Sequence, residues 1–454
     1  MSVRISRREL LEGLGAVGLA ASLSSRLGER RAWAQSAPDY RALVCVFLFG
    51  GNDGNNMVVP VDAAGYSAYA AARGTGAGGL ALAQSALLPL APASGAAAYG
   101  LHPNLVELQT LWEAGALGVV FNVGTLLAPT SKQSFLQNTV PHPLSLLSHQ
   151  DQQHQWQTAL SDQYSRTGWG GRIADGLPGA ALPPVISIAG NQLFTIGNAS
   201  SPLALPAAGG GFGLGGFDGS AEADARLQAM DDLRMLQEQN LIVQATQSQA
   251  SRALAASKLI APVLTGNGST VDGLFTGLTS SIAKQLLQVS RIIAARQTLG
   301  ATRQIFLVSQ DGYDTHNDQL NRQGNLFADL SPALKAFYDA TVQLGVAAQV
   351  TTFTLSDFAR TLQPASGGGS DHAWGNHQLV LGGAVRGRQT YGTFPTLQLG
   401  GPDDFSGQGR WVPTLAVDQY AATLASWFGV SSADLPAVLP YIGRYPTADL
   451  GFLG

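Results

Sequence analysis

Residues 367–377 read GGGSDHAWGNH, which sets Asp371, His372 and His377 behind three glycines. The chain has only seven histidines, so two in one loop concentrate its metal-capable side chains. Carboxylate oxygens and imidazole nitrogens together suit a divalent cation. The same residue types recur in three other segments. GGNDGNN carries Asp53, QDGYDTHND carries Asp311, Asp314, His316 and Asp318, and SDFART carries Asp357 and Arg360. Each has an ordinary reading by itself. Asp and Asn beside glycine make turns, a lone histidine is commonly a hydrogen-bonded structural residue, and Asp357 with Arg360 can close a loop as an ion pair. Their joint occurrence, each just after an apolar run, points to a metal-binding or active site.

Those runs are the elements that must position them. ALVCVFLF (42–49), LGVVFNV (117–123), PVISIAG (184–190), QIFLVSQ (304–310) and VTTFTLS (350–356) read as buried strands. Apolar residues at helical spacing over 102–114, 325–345 and 415–428 place helices between them. Strands alternating with helices predict an α/β fold with a mostly parallel central sheet flanked by helices. In such a sheet ligands bind beyond the carboxyl ends of the strands, and a parallel arrangement brings the acidic and histidine segments to one edge. The middle differs. A glycine-rich stretch at 207–219 and helical patterns over 221–262 and 279–299 read as an insertion at about 205–300, either scaffold or part of a lid or oligomer contact.

Hydroxyls offer a second kind of chemistry. Ser148, in LLSHQDQQHQW, stands where a helix begins. It is an N-cap, or a nucleophile exposed to the positive end of the helix dipole. Thr130, Ser131 and Ser134 are its rivals, while His102 and His142 read as structural.

The 454 residues carry a formal net charge of −4, and only 12% of them are charged. No basic stripe exists to hold nucleic acid. The 45% apolar content is enough for a large core, and the single cysteine, Cys45, lies in an apolar run and reads as a core residue. The N-terminus has an arginine pair, Arg7 and Arg8, then a weakly apolar segment too short and glycine-rich for a membrane span, then Ala32-Trp33-Ala34. This predicts a twin-arginine signal over 1–34, recognised by the twin-arginine export machinery. The mature chain, a single domain over 38–454, is then expected to be periplasmic or secreted and not membrane-spanning.

Taken together, LFGGNDGNNMVVP, HPNL before LW, SHQDQQHQW followed by GWGGR, DGYDTHNDQ, LSDFART, SDHAWGNH, LGGAVRG and PTLAVDQYAATLASWFG carry a resemblance. The chain resembles the bacterial family of twin-arginine-exported proteins of unknown function often described as sulfatase-like. The resemblance covers nearly all of the mature chain and implies an alkaline-phosphatase-like fold with metal at the strand ends. It implies Asp53, then Asp314 and His316, then Asp371, His372 and His377 as ligands of one or two divalent ions, whether zinc, manganese, calcium or iron. The pattern departs at Asp357, which stands directly after its strand with Phe358 where a histidine would be, so Asp357 or Asp371 is the ligand. The expected activity is metal-dependent hydrolysis of phosphate or sulfate esters, on an anionic small-molecule or polymer substrate. Ser148 is the candidate nucleophile, Arg360 the contact for the anion, and Asn52 and Asn55 are hydrogen-bond donors. The alternative is a non-catalytic exported protein binding a ligand or an envelope partner.

Overall fold

The first apolar run folds as strand β1, Arg41–Leu48, buried after its first residue. Its side chains alternate between two cores. Ala42, Val44, Val46 and Leu48 face one, and Leu43, Cys45 and Phe47 face the other. A strand covered on both faces can be apolar throughout, which explains the unbroken run. Cys45 is free and buried, and burial pushes its thiol up.

This computed structural model describes residues 39–93, 95, 98–178, 180, 182–210, 220–235, 241–265 and 269–454. The expected export signal at 1–34 and the 211–219 part of the glycine-rich stretch lie outside them.

Eight further strands join β1: β2 (Leu117–Gly124), β3 (Val185–Ser187), β4 (Leu203–Ala204), β5 (Arg303–Gln310), β6 (Val350–Ser356), β7 (Asn376–Leu381), β8 (Thr390–Tyr391) and β9 (Leu415–Ala416). The order is β8-β2-β7-β6-β1-β5-β3-β4, with β9 also on β2. The sheet is mainly parallel. Only β7 runs the other way, antiparallel to both β2 and β6. Leu48 is level with Gln310 on one side and Ser356 on the other. Three strands therefore end in register, and the chain leaves all three at one edge. Because β7 is reversed, the loop before it arrives at that same edge.

The longer helices are α1 (Ala63–Arg73), α2 (Val106–Glu113), α3 (His149–Thr158), α4 (Ala221–Met235), α5 (Leu241–Thr265), α6 (Ser281–Ala294), α7 (Gln319–Gln343) and α8 (Val417–Phe428). Helices α2, α6 and α7 cover one face through Leu108, Trp112, Leu286, Ile293, Phe327 and Leu334. Helices α3 and α8 cover the other through Trp156, Val417, Tyr420, Leu424 and Phe428. This is the expected α/β architecture, helices on both sides of a mostly parallel sheet. Among the described residues no helix is long and apolar enough to cross a membrane.

Helix α2 begins later than the sequence pattern suggests. His102 sits in the turn before it, its Nδ1 accepting from the Asn104 N–H at 3.1 Å. Burial pushes its imidazole down to about 4. The open N–H groups of α2 are capped from α7 instead, Glu107 and Leu108 donating to Ser331 Oγ at 3.1 and 3.2 Å.

Asp418, at the start of α8, is 0% exposed, and neither carboxylate oxygen has a hydrogen-bond partner among the described residues. Burial pushes its carboxyl up to about 8, against the weaker pull of its own backbone N–H dipole and then of Arg172 and Arg444. A raised carboxyl binds a proton in the folded state that the unfolded chain has released. Its contribution is fully present below the unfolded value near 4, falls as pH rises, and is lost above about 8. Asp418→Asn is expected to flatten that decline and to raise Tm at pH 8.5 by roughly 2–5 °C. Thermal melts of both proteins from pH 5 to pH 9 check this; parallel curves would contradict it.

Candidate metal centre

The loop after β1 bends at Gly50 and Gly51, with φ of 110° and 81°. A Cβ on Gly50 would lie 2.4 Å from the backbone nitrogen of Asp314. Glycine is thus what lets the β1 loop lie flat on the loop after β5. Gly369 does the same before β7, where a Cβ would meet the carbonyl carbon of His316 at 2.0 Å. Close backbone approach at these positions gathers the loops after β1, β5 and β6 and the loop before β7.

Arg360 fastens them. Its side chain is 0% exposed, and its guanidinium donates to Gly51 O at 3.0 Å, Gly50 O at 2.7 Å, Ser370 O at 2.9 Å, Tyr313 O at 3.2 Å and the Asp314 carboxylate. Every nitrogen of the fork has an acceptor within the protein, so Arg360 is placed as a clamp and not at the open face. Burial opposes ionisation of Asp314, but the hydrogen bond and charge of Arg360 outweigh it and hold the carboxyl below its ordinary value.

Three histidines meet at that carboxylate. His149 begins α3 and donates from Nδ1 to Asp357 Oδ2 at 2.7 Å. Gln153, one turn on and on the same face, donates to the same oxygen at 2.7 Å, and the Gly50 N–H donates to Oδ1 at 3.1 Å. Asp357 is fully buried and so holds His149 with its Nδ1 protonated and its Nε2 free. That Nε2 is buried without a hydrogen-bond partner among the described residues and lies 3.4 Å from Asp314 Oδ1. The bond to Asp357 raises the His149 imidazole above its ordinary value, against burial.

His372 is held in the same way. Its Nδ1 is 2.8 Å from Leu147 O, an acceptor only, so Nδ1 carries the proton. Leu147 has a φ of 76°, rare for a residue with a side chain. The His372 Nε2 then lies 3.6 Å from Asp314 Oδ1 and 3.0 Å from His316 Nε2. Burial lowers the His372 imidazole, helped by the charges of Arg360, His149 and His316 and opposed by the Leu147 carbonyl. His316 has its Nδ1 3.3 Å from Asp371 Oδ1 and its Nε2 3.1 Å from Asp314 Oδ1.

One Nε2 each from His149 and His372 and one oxygen of Asp314 lie within 4.8 Å of one another. His316 Nε2 adjoins two of the three. Four donors set tetrahedrally at bonds of about 2.0–2.1 Å stand about 3.3 Å apart. The separations of the three histidine Nε2 atoms from Asp314 Oδ1, 3.1 to 3.6 Å, and of His316 from His372, 3.0 Å, are near that spacing. The donor set, neutral imidazoles with one carboxylate, suits zinc or a related divalent ion. Asp371 and Asp357 hold the far nitrogens of His316 and His149, the usual outer partners of ligating histidines. Asp357→Asn is expected to weaken metal binding about 10–100-fold and to return the His149 imidazole toward its ordinary value. Metal titration and histidine NMR would read both, and unchanged affinity would remove the orienting role.

The other sequence candidates fall elsewhere. Asp53 caps a short helix and pairs with Arg73. His377 lies on β7 between Phe121 and Phe394, its Nδ1 accepting from the Asn122 N–H at 3.2 Å. Burial pushes its imidazole down to about 3. Ser148 Oγ accepts from the Asp151 N–H at 3.5 Å and caps α3. Ser131 and Ser134 form a capping box, and Thr130 donates to Ala128 O. Asn52 and Asn55 are buried ties within the loops, Asn55 donating to Arg360 O at 2.8 Å. His149 is the donor that the sequence pattern does not single out, since it follows Ser148 in a polar helix with no glycine loop beside it. Its signal was His149 with Gln153 on one face of a polar helix.

An α/β chain that gathers histidines and carboxylates at its strand ends defines a class, that of proteins with a candidate metal centre at the carboxyl edge of a mainly parallel sheet. The chain belongs to the family described as Protein of unknown function (DUF1501), which it matches over residues 40–404. No curated protein matches its sequence. Among solved structures it is similar to Ps i-CgsB, with 7% identity, 89% of this chain and 77% of that one covered, and a TM-score of 0.36. The same protein in complex with k-i-k-neocarrahexaose aligns at 8% identity, with 89% and 77% covered and a TM-score of 0.34. The PsFucS1 sulfatase from Pseudoalteromonas sp. aligns at 9% identity, with 93% and 72% covered and a TM-score of 0.35.

Proposed function

We propose that this chain is an exported, metal-dependent hydrolase of sulfate or phosphate esters, carried through the twin-arginine pathway by residues 1–34 and acting on an anionic small molecule or polymer in the periplasm or beyond. The observation that carries the metal reading is the convergence of His149 Nε2, His372 Nε2 and Asp314 Oδ1, with the Nδ1 of both histidines already committed to acceptors. A divalent ion held there would act as a Lewis acid on the ester and stabilise the leaving oxygen.

The chain's own groups do the rest. Asp357 and Gln153 orient His149, Leu147 O orients His372, and Arg360 fixes Asp314. Asp314, His316 and Asp371 have side chains 44–47% exposed, which leaves one side of the group open to substrate. With Ser148 Oγ engaged as a helix cap, attack falls to water.

The test uses mature protein loaded in turn with zinc, manganese, calcium and iron. The expected result is turnover of 4-nitrophenyl sulfate or phosphate that chelator abolishes and metal restores. Bound metal with no turnover on either ester, or on sulfated and phosphorylated polymers, would overturn the hydrolase reading in favour of a non-catalytic binding protein.

A further inference from the structure

We propose that the centre holds one metal ion and not two, because the place at Asp53 is filled from within by the guanidinium of Arg73, a fixed internal cation. The inference rests on the metal-centre reading above and decides its stoichiometry.

A cation at Asp53 needs a free lone pair and uncompensated negative charge, and it finds neither. Oδ1 accepts from the Asn55 N–H at 3.1 Å and from Arg73 Nη2 at 2.5 Å. Oδ2 accepts from Arg73 Nη2 and from Gln319 Nε2, each at 2.5 Å. Both partners of the pair are buried, Arg73 at 0% and Asp53 at 1% exposed. A divalent ion arriving there would have to expel a guanidinium that has no route to water without opening the loop.

Arg73 depends on Asp53 as strongly. Its Nε and Nη1 are buried with no hydrogen-bond partner among the described residues, so the Asp53 carboxylate is its charge compensation. A buried arginine stripped of its carboxylate is strongly unfavourable.

The pair also does what a second shared ion would do, tying the loops together. Gln319, which donates to Asp53, accepts through Oε1 from Thr315 Oγ1 at 3.1 Å and from Ser370 Oγ. Thr315 lies between Asp314 and His316, and Ser370 precedes Asp371 and His372. Hydrogen bonds thus run from the Asp53–Arg73 pair into both loops that carry the candidate ligands.

The experiment is zinc titration of the metal-free mature protein, with retained zinc counted after gel filtration and a thermal melt of each sample. It compares wild type, His372→Ala, Asp53→Asn and the double variant Asp53→Asn, Arg73→Met. The expected result is one equivalent in wild type and none in His372→Ala. Asp53→Asn keeps one equivalent with affinity within about 10-fold of wild type and melts lower. The double variant keeps one equivalent and recovers stability over the single one, since the stranded cation has gone with its partner. Two equivalents in wild type, one of them lost in Asp53→Asn, would overturn the inference and leave the metal centre standing. So would one equivalent lost in Asp53→Asn or the folded double variant. No zinc in folded wild type would overturn the metal-centre reading itself. If neither Asp53 variant folds, the wild-type count of one or two decides.

Discussion

His149→Ala and His372→Ala, made singly, are each expected to abolish stoichiometric metal binding while leaving the fold intact. His149 Nε2 lies 3.4 Å from Asp314 Oδ1, and His372 Nε2 lies 3.6 Å from it and 3.0 Å from His316 Nε2. The loss should exceed the about 10–100-fold set by an outer partner such as Asp357. Neither ring anchors a core. Both are only partly buried, and both sit at loop or helix ends. A ligand bound only by the folded state stabilises it by mass action, by about 4 kcal/mol at a thousand times its dissociation constant. Wild-type protein should therefore lose Tm on adding chelator. The two variants should melt near the chelated wild type and show no response to chelator. A variant that still melts lower with chelator would place the ion elsewhere.

Arg360→Ala is expected to destabilise the protein by about 3 kcal/mol or more, since each buried acceptor left without a donor costs about 1–3 kcal/mol, while Asp314, 47% exposed, regains water. The change strands four backbone carbonyls, at Gly50, Gly51, Tyr313 and Ser370. Arg360→Lys should recover only part of this, since an ammonium has three donors and no planar fork. Denaturant unfolding at pH 7 reads the size. The pH dependence reads the cause. The Asp314 carboxyl is held low in the fold, so its share of stability is present above the ordinary carboxylate value and is lost as pH falls through the depressed one. The alanine variant should lack that part of the acid sensitivity. A loss under 1 kcal/mol would show that the clamp is dispensable.

The strands of the sheet were legible because burial on both faces writes itself as an unbroken apolar run, as in 42–49 and 350–356. Their level ends were not written in any one run; they follow from the register of Leu48 against Gln310 and Ser356. Strand β7 escaped because its residues 376–381 open with Asn376 and His377, polar groups that belong to the loop pattern before it. Of the site, Asp314, His316, Asp371 and His372 were visible as a type, acid and histidine beside glycine at strand ends. What separates them from Asp53 and His377 is where each side chain finds its partner. Arg73 is twenty residues from Asp53 on another element, and Asn122 is on another strand from His377. No spacing in the sequence signals either contact. His149 was hidden for the opposite reason, since it lies in a polar helix far from any of the glycine loops.

The most direct test of the metal centre is anomalous diffraction from crystals of mature protein grown with zinc and collected on both sides of the zinc edge. The expected result is one strong peak, lost below the edge, about 2.0–2.2 Å from His149 Nε2, His372 Nε2 and Asp314 Oδ1. Occupied zinc sites elsewhere with none at these three atoms, or no site in crystals of zinc-saturated protein, would contradict it.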